Sequence, residues 1–230
     1  MTFTLVHLLP ELLGTYGDRG NVEVASWRLK QRGIAHDVIT IGVGEKVPTS
    51  ADLYFLGGGE DDAQIAAREI LAEHGALQKV LDHGGHIFAV CAGFQILGRS
   101  FPASGNRTIA GLELLPIETV AVPRRSVGEV VSEATIAMAT LTGFENHGGQ
   151  TSFLDDLQPL GRVSRGVGNS EESRVDGVIT EQIVATYMHG PALVRNPELA
   201  DWILARKYGE LEPLQAAIFN ELHAERLAGN

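Results

Sequence analysis

The sequence predicts a three-layer α/β domain built on a mostly parallel central sheet with antiparallel additions. Its first half alternates short apolar runs with segments of helical spacing, and one such run, His86–Val90, ends at the only cysteine. Its second half is richer in alternating and β-branched segments joined by short turns, a pattern typical of antiparallel strands. Because there is no linker and no internal repeat, we expect residues 1–230 to form one domain.

The first half is expected to supply the parallel strands and the helices that cover them. Apolar runs predict strands at Thr2–Leu9, Ala35–Ile41, Asp52–Leu56 and His86–Val90. Helical spacing predicts helices at Val22–Gln31 and Ala63–Asp82, and a further helix beginning at Ala92. In such a sheet the polar loops that follow the strands meet at its carboxyl edge, where α/β enzymes have their active sites.

The second half is expected to add strands, turns and two closing helices. Strands are predicted at Leu112–Val122, Val127–Ile136 and Gln182–Tyr187. Turns are predicted at Arg124–Arg125 and Gly143–Gly149, and an exposed hairpin loop at Gly161–Gly177. Helices are predicted at Pro197–Lys207 and Pro213–Leu227.

Composition and charge narrow the class of protein. A net charge of −11 disfavours binding to nucleic acid or to an anionic membrane surface. A single cysteine leaves no internal disulfide, so we expect a reducing, cytoplasmic setting. No apolar run approaches the roughly 20 residues of a membrane span, and the N-terminus lacks the basic region of a signal peptide. We find neither a phosphate-cradling loop for ATP nor a Cys/His spacing typical of a metal site.

Cys91 is the candidate nucleophile. It stands where the apolar run His86–Val90 gives way to helical spacing from Ala92, so the pattern predicts a sharp strand-to-helix turn with the sulfur at the helix N-terminus. Helix amides and the helix dipole favour a thiolate there, and the Ala92 amide points to where an oxyanion would form. A buried structural cysteine is the alternative, but the end of a central strand favours catalysis.

A glycine run follows the third predicted strand. Gly57-Gly58-Gly59 exposes backbone amides, and such amides could supply the second donor of an oxyanion hole beside Ala92. The alternative is a flexible turn capped by Asp61 or Asp62. We expect the oxyanion function because this loop should neighbour the Cys91 turn.

Two histidines are the candidate bases for Cys91. His147 and His189 lie beside glycines and prolines at predicted strand ends, where active-site loops occur. A Cys–His pair forms a thiolate and an imidazolium near neutral pH. The other six histidines lie within elements or at helix ends, where a packed or surface role is expected.

Two further polar segments keep alternatives open. Arg125 is either part of a solvated basic turn or a cation that binds an anionic substrate group. The loop Gly14–Asn21 either places Asp18 as a helix cap or faces a site or partner. Its glycines are not a dinucleotide-binding motif, because Pro10–Leu13 separates them from the strand.

These motifs together resemble the class I glutamine amidotransferases, in the branch similar to cobyric acid synthase. The segments that carry the resemblance are Gly57-Gly58-Gly59, Cys91-Ala92-Gly93-Phe94-Gln95, Gly143-Phe144-Glu145-Asn146-His147 and Tyr187-Met188-His189-Gly190. The resemblance implies a flavodoxin-like fold, in which Cys91 attacks the glutamine carboxamide and His189 moves the proton. It also implies that amides around Gly58 and Ala92 hold the oxyanion. By the same resemblance Gln95, Arg125 and His147 contribute to glutamine binding.

Within that branch, Gly14–Asn21 and the Glu-Asn-His-Gly-Gly segment are similar to the GatD-type glutaminase subunits of lipid II isoglutaminyl synthase. This resemblance implies a Mur-ligase-like partner of the MurT type, which uses ATP and the released ammonia to amidate D-glutamate of the peptidoglycan stem. It also implies no cofactor on this chain, with ATP and magnesium on the partner.

Two positions depart from the family pattern. Ala89 replaces the usual glycine two residues before the cysteine, and it is small enough to leave the turn intact. Pro191 occupies the position two residues after the histidine, where the family usually has the glutamate that orients it. Glu145 is an in-chain candidate for that carboxylate. Our hypothesis is that the partner supplies it, so that glutaminase activity rises when the complex forms.

Other classes of protein remain as alternatives. Dienelactone hydrolases and some proteases also place a cysteine on such a turn. A non-enzymatic subunit is disfavoured because Cys91, Gln95 and His189 are all present. A cobyrinate-type amidase subunit is the alternative within the amidotransferases, although those chains usually carry their ATP-binding half as well.

Overall fold

The structure is a computed structural model that describes residues 2–214 and 216–228. Its strands are β1 (Phe3–Leu8), β2 (His36–Ile41), β3 (Leu53–Leu56), β4 (His86–Val90), β5 (Ser100–Ala103), β6 (Arg107–Ala110), β7 (Ile117–Ala134), β8 (Leu141–Phe153), β9 (Gly161–Arg165), β10 (Val175–Asp176), β11 (Val178–Ile179) and β12 (Ile183–Thr186). Its α-helices are α1 (Arg19–Gln31), α2 (Asp61–Ala72), α3 (Ala76–Asp82), α4 (Ala92–Ile96), α5 (Ala192–Arg195), α6 (Pro197–Tyr208) and α7 (Ala217–Ala228).

The central sheet has six strands in the order β11-β12-β4-β3-β1-β2. All neighbours in it are parallel except β11, which pairs antiparallel with β12 at one edge. Parallel order brings the carboxyl ends of β1, β3, β4 and β12 to one edge of the sheet. The predicted mostly parallel sheet with antiparallel additions is confirmed.

The apolar core is built on the strands predicted from continuous apolar runs. Every residue of β3 and β12 is buried, as parallel strands covered on both faces require. Phe55 and Phe88 on neighbouring strands meet edge to face, with ring centroids 6.2 Å apart. The helices fall into two groups, one in which α1 contacts α5 and α6, and another in which α2 contacts α3 and α4.

A second sheet is added beside the first, in the order β10-β9-β7-β5-β6, and β8 pairs with β7. β7 and β8 form a long antiparallel hairpin whose register shifts between Ala121 and Ser126. The predicted turn at Gly143–Gly149 is wrong, because those residues lie inside β8. The predicted turn at Arg124–Arg125 also lies within a strand, β7, although it coincides with the register shift.

The helices differ most from the prediction at three places. The helix expected at Ala63–Asp82 is interrupted by a 3₁₀ turn at Glu73–Gly75, where Gly75 takes a φ of 58°. The first helix begins at Arg19 rather than Val22. The last begins at Ala217 rather than Pro213, and Gln215 of that predicted helix lies outside the described residues.

The segment Gly161–Gly177 is a hairpin, but it is not exposed throughout. β9 pairs antiparallel with β10, which confirms the hairpin. Asn169 and Asp176 are fully buried between the strands. Asn169 donates to the Gly177 carbonyl at 3.1 Å and accepts from the Gly177 amide at 2.7 Å, so its side chain replaces missing backbone pairing.

Candidate active site

Cys91 lies at the junction of β4 and α4, as the sequence predicts. Its backbone takes φ 52° and ψ −106°, a strained conformation for a residue with a side chain. Close packing enforces the turn: the Gly93 amide donates to the Gly57 carbonyl at 3.1 Å, and a Cβ on Gly93 would stand 2.7 Å from Leu56 Cβ. The thiol is therefore lifted off the sheet at its carboxyl edge, between the ends of β3 and β12.

His189 follows β12, the strand beside β4, so its ring reaches the same edge as Cys91. The imidazole is 2% exposed, and its Nδ1 lies 3.1 Å from Oδ2 of Asp18 and 3.2 Å from Oδ1. Burial alone would lower the pKa of His189, but the hydrogen bond to Asp18 and the nearby sulfur of Cys91 outweigh it and raise the pKa to about 10. The ring is therefore protonated at neutral pH, which suits a thiolate–imidazolium pair with Cys91.

Asp18 is the carboxylate that orients His189, and sequence reasoning missed it. Because a carboxylate only accepts hydrogen bonds, Nδ1 of His189 carries the hydrogen and Nε2 is left for the thiol. Of the two alternatives for this loop, the structure supports the one that faces the site: the Asp18 side chain makes no cap hydrogen bond and instead accepts from the Gly58 amide at 2.8 Å. The hypothesis that a partner supplies this carboxylate is wrong for the same reason: the position is already filled.

The segments that follow β1 and β12 are packed together, which brings Asp18 to His189. A Cβ on Gly20 would stand 2.3 Å from Pro191 Cγ, so only glycine allows this approach. Three residues after Asp18, Asn21 accepts from the Leu193 amide at 2.9 Å. Pro191 stands where the family usually has a glutamate, and its contact with Gly20 thus helps to bring Asp18 to His189.

The oxyanion site differs in one respect from the prediction. The Gly58 amide is engaged by Asp18, so it is not free to bind an oxyanion. The amide of Gly59 makes no hydrogen bond with the described residues, and Gly59 lines the cavity with Cys91 and Ala92. Gly58 has a different duty, because a Cβ there would lie 2.6 Å from Cε1 of His189. Gly59, one residue later than expected, is therefore our candidate for the second oxyanion donor beside Ala92.

A cavity of about 280 Å³ opens in front of Cys91, and the predicted glutamine-binding residues Gln95, Arg125 and His147 all line it. Gln95 is held at both ends of its amide: its Oε1 accepts from Gln64 at 2.9 Å and its Nε2 donates to Tyr187 Oη at 3.0 Å. This network fixes the wall of the cavity next to the nucleophile.

Arg125 lies at the exposed rim of the cavity. Its Nε donates to Asn146 Oδ1 at 2.6 Å, and its Nη2 donates to the Asn146 carbonyl and to Tyr16 Oη, each at 3.2 Å. Its Nη1 makes no hydrogen bond to the described residues. Asn146 and Tyr16 thus fix the guanidinium through Nε and Nη2, and Nη1 remains as a donor for an anion.

His147 belongs to a second buried pair, with Glu145. Its Nε2 lies 3.5 Å from Glu145 Oε2, its Nδ1 is 2.8 Å from the Gly149 carbonyl, and its ring stacks on Tyr187 at 3.9 Å. Glu145 also accepts from the amides of Val167 and Gly168, both at 2.8 Å. Glu145, our in-chain candidate to orient His189, therefore faces His147 and these two amides instead.

The described residues contain no group of three or more His, Cys, Asp or Glu side chains that could hold a metal ion. Among the helices of that part of the chain, none combines the length and apolar character needed to cross a membrane.

Known proteins resemble this chain in sequence over most of its length. A family model described as a CobB/CobQ-like glutamine amidotransferase domain matches residues 4–197. The chain is 32% identical to the GatD subunit of the glutamine-hydrolysing lipid II isoglutaminyl synthase of Staphylococcus aureus, over 88% of this chain and 83% of that protein. It is 31% identical to the GatD subunit of Streptococcus pneumoniae, over 97% and 88%. It is 36% identical to cobyric acid synthase of Brucella abortus, over 68% of this chain but only 32% of that protein.

Solved structures share the fold. A crystal structure of a glutamine amidotransferase superposes with a TM-score of 0.60 at 20% identity, covering 88% of this chain and 98% of the other. The glutaminase domain of Trypanosoma brucei CTPS superposes with a TM-score of 0.54 at 14% identity, covering 93% and 97%. These likenesses confirm the predicted fold class. Since the family model matches well over half of the residues, the chain belongs to the CobB/CobQ-like glutamine amidotransferase family.

Proposed function

We propose that this chain is the glutaminase subunit of a lipid II isoglutaminyl synthase. It hydrolyses L-glutamine to glutamate and passes the ammonia to an ATP-dependent partner. The observation that carries the hydrolytic part is the assembly of Cys91, His189 and Asp18 at one edge of the sheet, with Nδ1 of His189 3.1 Å from Asp18. Identity to two GatD subunits over most of both chains supports the cell-wall role.

The proposed chemistry starts from a thiolate on Cys91 and an imidazolium on His189. The Cys91 thiolate attacks the side-chain carboxamide carbon of glutamine, and the amides of Ala92 and Gly59 stabilise the tetrahedral oxyanion. The imidazolium of His189 gives its Nε2 proton to the leaving nitrogen, so the C–N bond breaks, ammonia departs and a thioester to Cys91 remains. Water, deprotonated by His189, then attacks the thioester, releasing glutamate and restoring the thiol.

The proposed partner is a Mur-ligase-like synthetase of the MurT type, which would hold ATP and magnesium and amidate the D-glutamate of lipid II. The chain is predicted to be cytoplasmic, facing the membrane that carries the lipid-linked acceptor. A cobyrinate-type acceptor is less well supported, because this chain spans only 32% of the cobyric acid synthase that it matches.

Two measurements test the proposal in turn. The full chain, given L-glutamine, should release ammonia and glutamate in equal amounts, whereas ester and peptide substrates of Cys-dependent hydrolases should remain intact. Cys91→Ser should abolish this turnover and also covalent labelling by a glutamine-like electrophile, with the fold retained. Turnover that survives in Cys91→Ser would rule out the thioester route.

The acceptor is tested by reconstitution. The chain, the MurT-type synthetase of the same cell, ATP and magnesium are supplied with lipid II or with a cobyrinate acceptor, and the products are identified by mass. We expect amidated lipid II and unchanged cobyrinate. The reverse result would leave the glutaminase chemistry standing and overturn the cell-wall role.

A further inference from the structure

Tyr16 occupies a position that the glutaminase chemistry described above does not use. It lies in the loop between β1 and α1, two residues before Asp18, and it is partly buried although its direct neighbours Thr15 and Gly17 are exposed. Its side chain contacts two other groups of the site. The ring lies against His189, with centroids 4.7 Å apart and planes tilted by 49°, and the hydroxyl reaches Arg125.

The ring of Tyr16 helps to close His189 off from water. A Cβ on Gly58 would lie 2.6 Å from His189 Cε1 and 3.3 Å from Tyr16 Cδ2. The backbone at Gly58 and the ring of Tyr16 therefore enclose the imidazole together. With Asp18 on Nδ1, the imidazole retains little freedom to turn. A desolvated imidazolium attracts a nearby thiolate more strongly than a hydrated one.

The hydroxyl of Tyr16 is fixed on both sides. It donates to Glu60 Oε1 at 2.7 Å and accepts from Nη2 of Arg125 at 3.2 Å. Burial, and then the hydrogen bond to Glu60, raise the pKa of Tyr16 to about 12, so the hydroxyl stays protonated and keeps this polarity at working pH. Within the part of the chain that the structure describes, the other hydrogen bonds of Arg125 go to Asn146 alone, so Tyr16 is one of its two supports there.

We propose that Tyr16 is a positioning residue that links two parts of the site. Its ring holds His189, the proposed base, and its hydroxyl holds Arg125, the proposed substrate-binding residue. The half that concerns Arg125 rests on the proposed function, because it requires glutamine as the substrate, whose α-carboxylate Arg125 would bind. The base half rests on the contact with His189 alone. Each half therefore has its own variant and its own readout.

Tyr16→Phe separates the halves by removing the hydroxyl and keeping the ring. Losing one hydrogen bond that orients Arg125 should raise the KM for glutamine about three- to tenfold, with kcat within about twofold. In an Arg125→Ala background the same change should leave KM unaltered, because the group through which the hydroxyl acts is gone.

Tyr16→Ala also removes the ring. Water then screens the attraction between the Cys91 thiolate and the imidazolium, so kcat should fall about tenfold or more. The pH profile of Cys91 alkylation by iodoacetamide should move to higher pH, whereas Tyr16→Phe should keep the wild-type profile. Tyr208→Ala is the matched control, because Tyr208 is a half-exposed tyrosine at the end of α6 that packs on Phe3.

A wild-type KM in Tyr16→Phe overturns the proposal, and so does a wild-type alkylation profile in Tyr16→Ala. A KM effect of Tyr16→Phe that persists undiminished beside Arg125→Ala also overturns it. If Tyr16→Ala does not fold, Tyr16→Phe and the double variant decide. If the wild-type chain does not hydrolyse glutamine, the proposed function fails by itself, and the alkylation profiles, which need no substrate, decide the role of Tyr16.

Discussion

Oδ2 of Asp18 lies 3.1 Å from Nδ1 of His189, although 171 residues separate the two in the chain. The same oxygen accepts from the Gly58 amide at 2.8 Å, which ties the carboxylate to the glycine run beside the nucleophile. Three loops that follow three strands of one parallel sheet thus meet at a single buried carboxylate. The carboxylate that holds Nδ1 of His189 therefore comes from this chain itself.

Asp18→Asn tests this arrangement directly. The amide removes the charge that favours the imidazolium and can present a donor to Nδ1, so the ring loses its correct tautomer and orientation. We expect kcat for glutamine hydrolysis to fall by roughly 10²- to 10⁴-fold with a smaller change in KM. Steady-state ammonia release measures both constants, and circular dichroism checks the fold.

Glu145→Gln is the matched control, because Glu145 is an equally buried carboxylate of the site that faces His147 instead of His189. Its kcat should stay within about tenfold of the wild type. Full activity in Asp18→Asn together with an inactive Glu145→Gln would show that the wrong carboxylate has been assigned to the base.

The sequence predicts the nucleophile turn and the strand-end histidine because both are local patterns. The run His86–Val90, its single cysteine and the helical spacing after Ala92 lie within one stretch of chain, and β12 ends just before His189 in the same way. Asp18 is different in kind. Its contact with His189 depends on strand order and on the fit of Gly20 against Pro191, neither of which is visible in local spacing.

The misread glycines of β8 have a physical reason too. Gly143 and Gly149 suggest a turn, yet both lie in extended, paired backbone. A Cβ on Gly143 would stand 2.4 Å from Met188 Cβ, and one on Gly149 would stand 2.7 Å from Gln95 Nε2. These glycines allow close packing of β8 against the segment that follows β12 and against the cavity wall, a use of glycine that sequence alone does not distinguish from a turn.

The raised pKa of His189 predicts how stability changes with pH. The folded-state value is about 10 and the ordinary value is 6.5, so proton binding to His189 favours the folded state. This contribution is complete below about pH 6.5 and is lost as the pH rises through about 10. In Asp18→Asn the pKa should be raised less, because hydrogen bonding to Asp18 is the largest of the effects that raise it.

Urea unfolding of wild type and Asp18→Asn at several pH values measures this effect. The difference in free energy of unfolding between the two proteins should be largest near pH 6.5 and should shrink steadily towards pH 10. A difference that stays constant over this range would show that the Asp18–His189 pair does not hold the proton.

Arg125→Ala should affect affinity more than chemistry. A guanidinium that binds a carboxylate contributes ~1.5–3 kcal/mol, so its loss should raise the KM for glutamine roughly tenfold to a hundredfold and leave kcat within a few-fold. Arg124→Ala is the control, since Arg124 is the neighbouring exposed arginine on the same strand.

The decisive comparison uses 4-aminobutanamide, which is glutamine without its α-carboxylate. If Arg125 binds that carboxylate, the wild-type chain should strongly prefer glutamine, and Arg125→Ala should lose most of this preference. An equal rise in KM for both amides would show instead that Arg125 supports the shape of the cavity through Asn146 and Tyr16.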